Sequence, residues 1–133
     1  MASGIYNRQK ANLLRGDVDL VNDTINVALY DNVHAFTATD TDYTTTNELA
    51  AAGGYSTGGA ALATKSVTEA ATSYWDADDI SWTSATFTTY HAVIYDTTVT
   101  NDLICSIDFG GAQTVTAGTF TIQWNANGII SLA

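Results

Sequence analysis

The sequence predicts an all-β domain, a β-sandwich or jelly roll of about eight short antiparallel strands with a short N-terminal helix. Three observations predict it. In GTFTIQWNANGIISL, residues 118–132, Phe120, Ile122 and Trp124 alternate with Thr119, Thr121 and Gln123, the period-2 pattern of a strand with one wet and one dry face. The chain has 22 threonines, 7 tyrosines and no proline, a β-branched and aromatic richness that suits pleated, half-buried surfaces. Short apolar runs separated by turn residues follow one another without a βαβ rhythm or a fixed repeat, which argues against a propeller or solenoid.

From the N-terminus, Ser3 is placed to cap a helix in which Tyr6, Lys10, Leu13 and Leu14 fall at i, i+4, i+7 and i+8, one apolar stripe ended by Gly16. Residues 24–30 form the first strand, with Ile25, Val27 and Leu29 on one face. Residues 31–57 dissolve into Thr, Asp, Asn and Gly, with a helical turn expected only at 47–52. A loop of that length is usually functional or an arm. The GGYSTGGA run is not a phosphate loop, because no Lys-Ser/Thr follows the glycines and 60–67 reads as a strand. Short strands at 74–77 and 80–82 and a longer one at 86–95 come next, then a turn at 96–102. Leu103, Cys105, Ile107 and Phe109 alternate with Ile104, Ser106 and Asp108, so Cys105 points into the core, and Gly110 and Gly111 close the strand. Residues 125–128 make the last turn, and 129–132 return as the second arm of a C-terminal hairpin.

Length and charge bound the function. A chain of 133 residues is one domain with an adequate core, here read as a basic amphipathic helix or arm at 1–16 and a single sandwich at 17–133. One cysteine forms no internal disulfide, and neither a signal peptide nor a membrane-spanning run is expected. The net charge is −10, yet Arg8, Lys10 and Arg15 lie in a stretch without acids and only Lys65 follows among fourteen acids. An acidic body disfavours nucleic acid as a partner. Asp76, Asp78 and Asp79 lack the glycine and glutamate of a calcium loop, so no metal or cofactor is expected. His34, His91 and Cys105 offer no nucleophile elbow, and no enzyme is expected.

The stretches LLRGDVDLVNDTINVALYD (13–31), NELAAAGGYSTGGAAL (47–62), WDADDISWTSATFT (75–88), AVIYD (92–96) and IDFGGAQTVTAGTFTIQWNANGI (107–129) resemble a family of small structural proteins of tailed bacteriophages. The resemblance covers nearly the whole chain in order and implies a capsid decoration, or cement, protein. Such a protein is made in the host cytoplasm, sits on the outer surface of the virion head and staples the major capsid protein. It carries no catalytic motif, cofactor or membrane contact. Edge strands of a threonine-rich sandwich can pair between copies, so other copies of the chain are also expected as partners, as a dimer or trimer through strand addition or burial of the basic arm. Tyr6, Arg8, Lys10, Leu13, Leu14 and Arg15, with the 31–57 loop, are the expected capsid or self-interaction residues, apolar anchors among cations. Two other roles fit the sequence. One is a carbohydrate or host-receptor module stacking glycans on Tyr74, Trp75 and Trp82 beside Asp76, Asp78 and Asp79, and the other is a head-tail connector or tail component.

Overall fold

The computed structural model describes residues 3–133. Its organising strand is β2 (Ile25–Tyr30), INVALY, which buries every residue except Asn26. A strand apolar on both sides needs cover on both sides. The remaining elements are β1 (Gly4–Ile5), α1 (Asn7–Arg15), β3 (Ala60–Ala61), β4 (Ser66–Thr68), β5 (Ser73–Asp76), β6 (Ile80–Asp96), β7 (Asp102–Ile122) and β8 (Ile130–Leu132). They form two antiparallel sheets, one in the order β1-β7-β6-β2-β3 and one in the order β4-β5-β8. The expected all-β sandwich with a short helix is the observed architecture.

Between the sheets, Ile25, Val27, Leu29, Ile94 and Ile104 pack against Trp75 and Ile130 of the smaller sheet. On the other face of the larger sheet, Ala28, Tyr30, Val93, Tyr95 and Leu103 form a second apolar cluster with Tyr6, closed by Phe36 and Tyr43 from the long loop. Cys105 lies in the inner cluster as expected, though the alternation that predicted it breaks at the register irregularity beside it: Ile104 joins Cys105 inside while Leu103 belongs to the outer cluster. Burial pushes the Cys105 thiol up to about 12.

Several local expectations are corrected. The C-terminal hairpin does not form: β7 ends at Ile122, and the residues after the turn pair with β5 instead, Ile130 opposite Trp75. The cause is burial, since crossing to the second sheet places Ile130 over the core, and Ile129 N donates to Trp75 O at 2.7 Å on the way. No helical turn forms at 47–52. There the loop acts as a substitute strand, with Glu48 bridged to Tyr30 and Leu49 N donating to Leu29 O at 3.0 Å, because β3 is too short to pair the end of β2. The 60–67 strand is split into β3 and β4, one in each sheet, while 80–82 and 86–95 merge into β6. Gly110 and Gly111 do not close β7. They bulge out where the register slips between His91–Asp108 and Thr89–Gln113, and the ladder then resumes. Ser3 is no helix cap: its hydroxyl accepts from Asp108 N at 2.9 Å, and Tyr6 occupies the N-cap position without a side-chain bond. Gly16 does end α1, in the left-handed conformation at φ 74°. Gly59 is required by close approach, since a Cβ there would lie 1.8 Å from Val27 O.

The turn after β6 is pinned by Asp96, which is 0 % exposed. One carboxyl oxygen accepts from Thr98 N at 2.9 Å and Val99 N at 3.2 Å. Burial and then the neighbouring Asp23 carboxyl push its pKa up to about 7. Between about pH 4, where an unfolded aspartate titrates, and about pH 7, the folded chain therefore holds a proton that the unfolded chain has lost. This group's contribution is fully favourable below about pH 4 and is lost as pH rises through about 7. Asp96→Asn keeps an acceptor for both amides and removes the titration. Denaturation midpoints measured from pH 5 to 8 are expected to show the variant gaining on the native chain as pH rises. A constant difference across that range would contradict the assignment.

Candidate functional site

The outer face of the larger sheet gathers the N-terminal segment and the long loop that the sequence singles out. β1 pairs with β7 at Ile5–Cys105 and Gly4–Ser106, and Tyr6 N continues the ladder to Ile104 O at 3.1 Å. This lays Tyr6 flat on the sheet, 1 % exposed, with its ring 4.9 Å from that of Phe36, and burial raises its hydroxyl to about 12.

The orientation of α1 is set by polar contacts. Its buried residues are Gln9 and Asn12, one turn apart, and not the predicted stripe. Asn12 Nδ2 donates to the Asp102 carboxylate at 2.7 Å, and Arg8 Nη1 donates to both its oxygens at 3.3 and 3.4 Å. Asp102, 4 % exposed, also accepts from Thr100 Oγ1 at 3.3 Å. A carboxylate taken out of water needs such partners, and removing one side of the contact strands the other. Arg15 reaches back to Asn12 Oδ1 at 2.8 Å and out to Asp17 at 2.6 Å.

The loop is fastened at both ends of the same face. Tyr43 N donates to Asn101 O and Leu103 N to Thr41 O, each at 2.9 Å, while the Tyr43 ring stacks on Tyr95 at 4.2 Å. Glu48 is its hub, accepting from the Tyr43 hydroxyl, from the Tyr55 hydroxyl at 2.5 Å and from Gly58 N at 2.7 Å. Burial, reinforced by the hydrogen bond to Glu48, raises the pKa of both tyrosines. The Tyr55 oxygen in turn accepts Leu29 N at 3.0 Å, a ladder position that no strand fills. His34 lies 3.1 Å from Ser106 Oγ and edge-on to His91, whose Nδ1 is 3.9 Å from Asp108. Burial and His91 lower the pKa of His34.

The predicted site residues are therefore divided. Tyr6 is part of the outer cluster, Arg8 is engaged with Asp102, Leu13 is half-buried, and Lys10, Leu14 and Arg15 face solvent, Leu14 at 91 % exposure. Between loop and sheet runs a groove of 490 Å³ lined by Tyr6, Tyr30, His34, Asp40, Asp42 and Tyr43. The glycan platform is not assembled, because Trp75 and Trp82 are buried in the core at 2 % and 6 % exposure. Asp78 bonds Thr64 Oγ1 and Asp79 bonds Trp124 N, and no group of three potential ligands gathers among the described residues. Cys105 belongs to the inner cluster, whereas His91 meets His34 beside Tyr30 on the outer face, so they do not form a pair. Asp102 and Glu48 were missed by sequence reasoning. The one available signal was the spacing of Gln9 and Asn12, a polar stripe on a helix otherwise read as apolar on one side.

The fold is a two-sheet β-sandwich with one covered outer face, and no helix among the described residues is long and apolar enough to cross a membrane. No family model, curated protein or solved structure matches the chain.

Asp102→Ala leaves Arg8 and Asn12 facing an empty pocket and is expected to cost about 2–4 kcal/mol. Asp102→Asn, which retains an acceptor, is expected to cost less than half as much. Urea denaturation of the two variants checks the order, and equal losses would show that the charge of Asp102, and not an acceptor of its size, is what matters there.

Proposed function

We propose that the chain is a capsid decoration protein of a tailed bacteriophage, binding the outer head surface and stabilising contacts between major capsid protein subunits. The observation that carries this reading is the outward side of α1. Lys10 and Leu14, four residues apart and so neighbours on the helix surface, stand with Arg15 as an exposed leucine among cations on a chain of net charge −10. An apolar residue in that setting suits docking against an acidic, partly apolar protein surface. The resemblance noted in the sequence points the same way. Repetition over a capsid lattice multiplies modest affinity, so a small patch suffices.

The helix is held rigidly by Asp102 and Tyr6, so its outward residues are presented in a fixed geometry. Point variants test the patch better than truncation, which would strip Asp102 of its partners. Leu14→Asp combined with Lys10→Glu is expected to leave the circular dichroism spectrum unchanged. The same variant is expected to lower binding to heads lacking the protein by at least tenfold, measured by co-sedimentation. Native binding is expected to weaken as salt rises. Undiminished binding by the double variant would overturn the role of this patch, and absence of native binding to heads would overturn the decoration reading itself.

A further inference from the structure

β7 is paired with β6 along its length, but on its other side it has a strand partner only where β1 meets Cys105 and Ser106. From Phe109 onward no strand pairs with that edge among the described residues, Asp108 N being bonded to Ser3 Oγ. Open edges are ordinarily blunted by lysine, proline or inward charge. Here residues 109–133 contain no charged side chain and no proline, in a chain whose net charge is −10. Two irregularities, the Gly110–Gly111 bulge and Ala117 at φ 46°, both precede residues 118–122, which pair with β6 from Ala85 back to Ile80 with one slip between Ala85 and Trp82. Beside this edge lies a groove of 540 Å³ lined by Ile107, Phe109, Phe120, Trp124 and Ile129, with no charged residue in its walls.

We infer that this edge pairs with the same edge of a second copy of the chain, residues 118–122 antiparallel to 118–122 across a twofold axis, with the two grooves closing on each other. The charge pattern selects that occupant. In a twofold interface each patch meets itself, so any charge there would face its own like. A strongly acidic chain can meet itself only where it carries no charge, and this is such a surface. The register is self-complementary as well. Centred on Phe120, it sets that ring against its own copy and Thr119 against the copy's Thr121, favourable aromatic and threonine cross-strand pairs. Five paired residues and a shallow groove make a small contact, so a dissociation constant in the micromolar range is expected. The inference does not rest on the capsid reading, since it concerns residues 118–122 and not the outward residues of α1.

Sedimentation equilibrium of the purified chain is expected to show the mass doubling between low and high micromolar concentration. Thr119→Asp with Thr121→Asp changes two exposed positions and sets like charges opposite one another across the axis. It is expected to weaken the dimer at least tenfold, with partial recovery at high salt. Mixed with the Thr119→Lys, Thr121→Lys variant, it is expected to form heterodimers in native mass spectrometry. Should the double variant lose its fold, Gln123→Asp on the exposed rim of the groove gives the same reading. Val67→Asp on the exposed face of β4 serves as a control that leaves association unchanged. A native chain that stays monomeric throughout, or an Asp variant that associates as the native chain does, would overturn the inference.

Discussion

The fold depends on one constraint: the larger sheet is apolar on both faces and must be covered twice. β2 imposes it, since Ile25, Val27 and Leu29 enter one cluster while Ala28 and Tyr30 enter the other. The smaller sheet covers the first face by ordinary sandwich packing. The second is covered by β1, α1 and the long loop, of which α1 and the loop need polar fasteners because they have no ladder to the sheet of their own. Asp102 and Glu48 are those fasteners. Each is an acid with several donors converging on it, and together they explain how a threonine-rich loop becomes an ordered lid.

This division also explains which features were legible in the sequence. β2 and the turn after Asp96 follow from local alternation and turn chemistry, which are properties of neighbouring residues. The partner of β8 is not local. A strand after a good turn usually pairs with the one before it, and only the burial of Ile130 against the second sheet reverses that preference. The helix was legible as a helix, but its orientation was not. Counting apolar residues put Tyr6, Leu13 and Leu14 on one stripe, whereas Tyr6 is buried and Leu14 exposed, and the residue that sets the orientation, Asp102, lies ninety positions from Asn12. Trp75 and Trp82 show the same limit, because tryptophan composition suits a binding platform and a core equally well.

The candidate site was legible as a region and not as a set of roles. The basic N-terminal segment and the long loop do meet on one face, yet two of the six singled-out side chains, Tyr6 and Arg8, are spent on holding that face together. What remains outward is smaller and better fixed than a flexible arm. A rigid patch loses less entropy on docking than a tethered one, so a few residues carry more of the binding energy.

The account stands on the claim that the N-terminal segment and the long loop are integral parts of the fold. Native-state hydrogen exchange followed by mass spectrometry tests it most directly, because protection reports the free energy of local opening. Peptides spanning 4–15 and 41–58 are predicted to exchange slowly, with protection approaching that of β2. Rapid exchange of those peptides beside a protected β2 would contradict the account, for it would mean that the outer face of the sheet holds its shape without its cover.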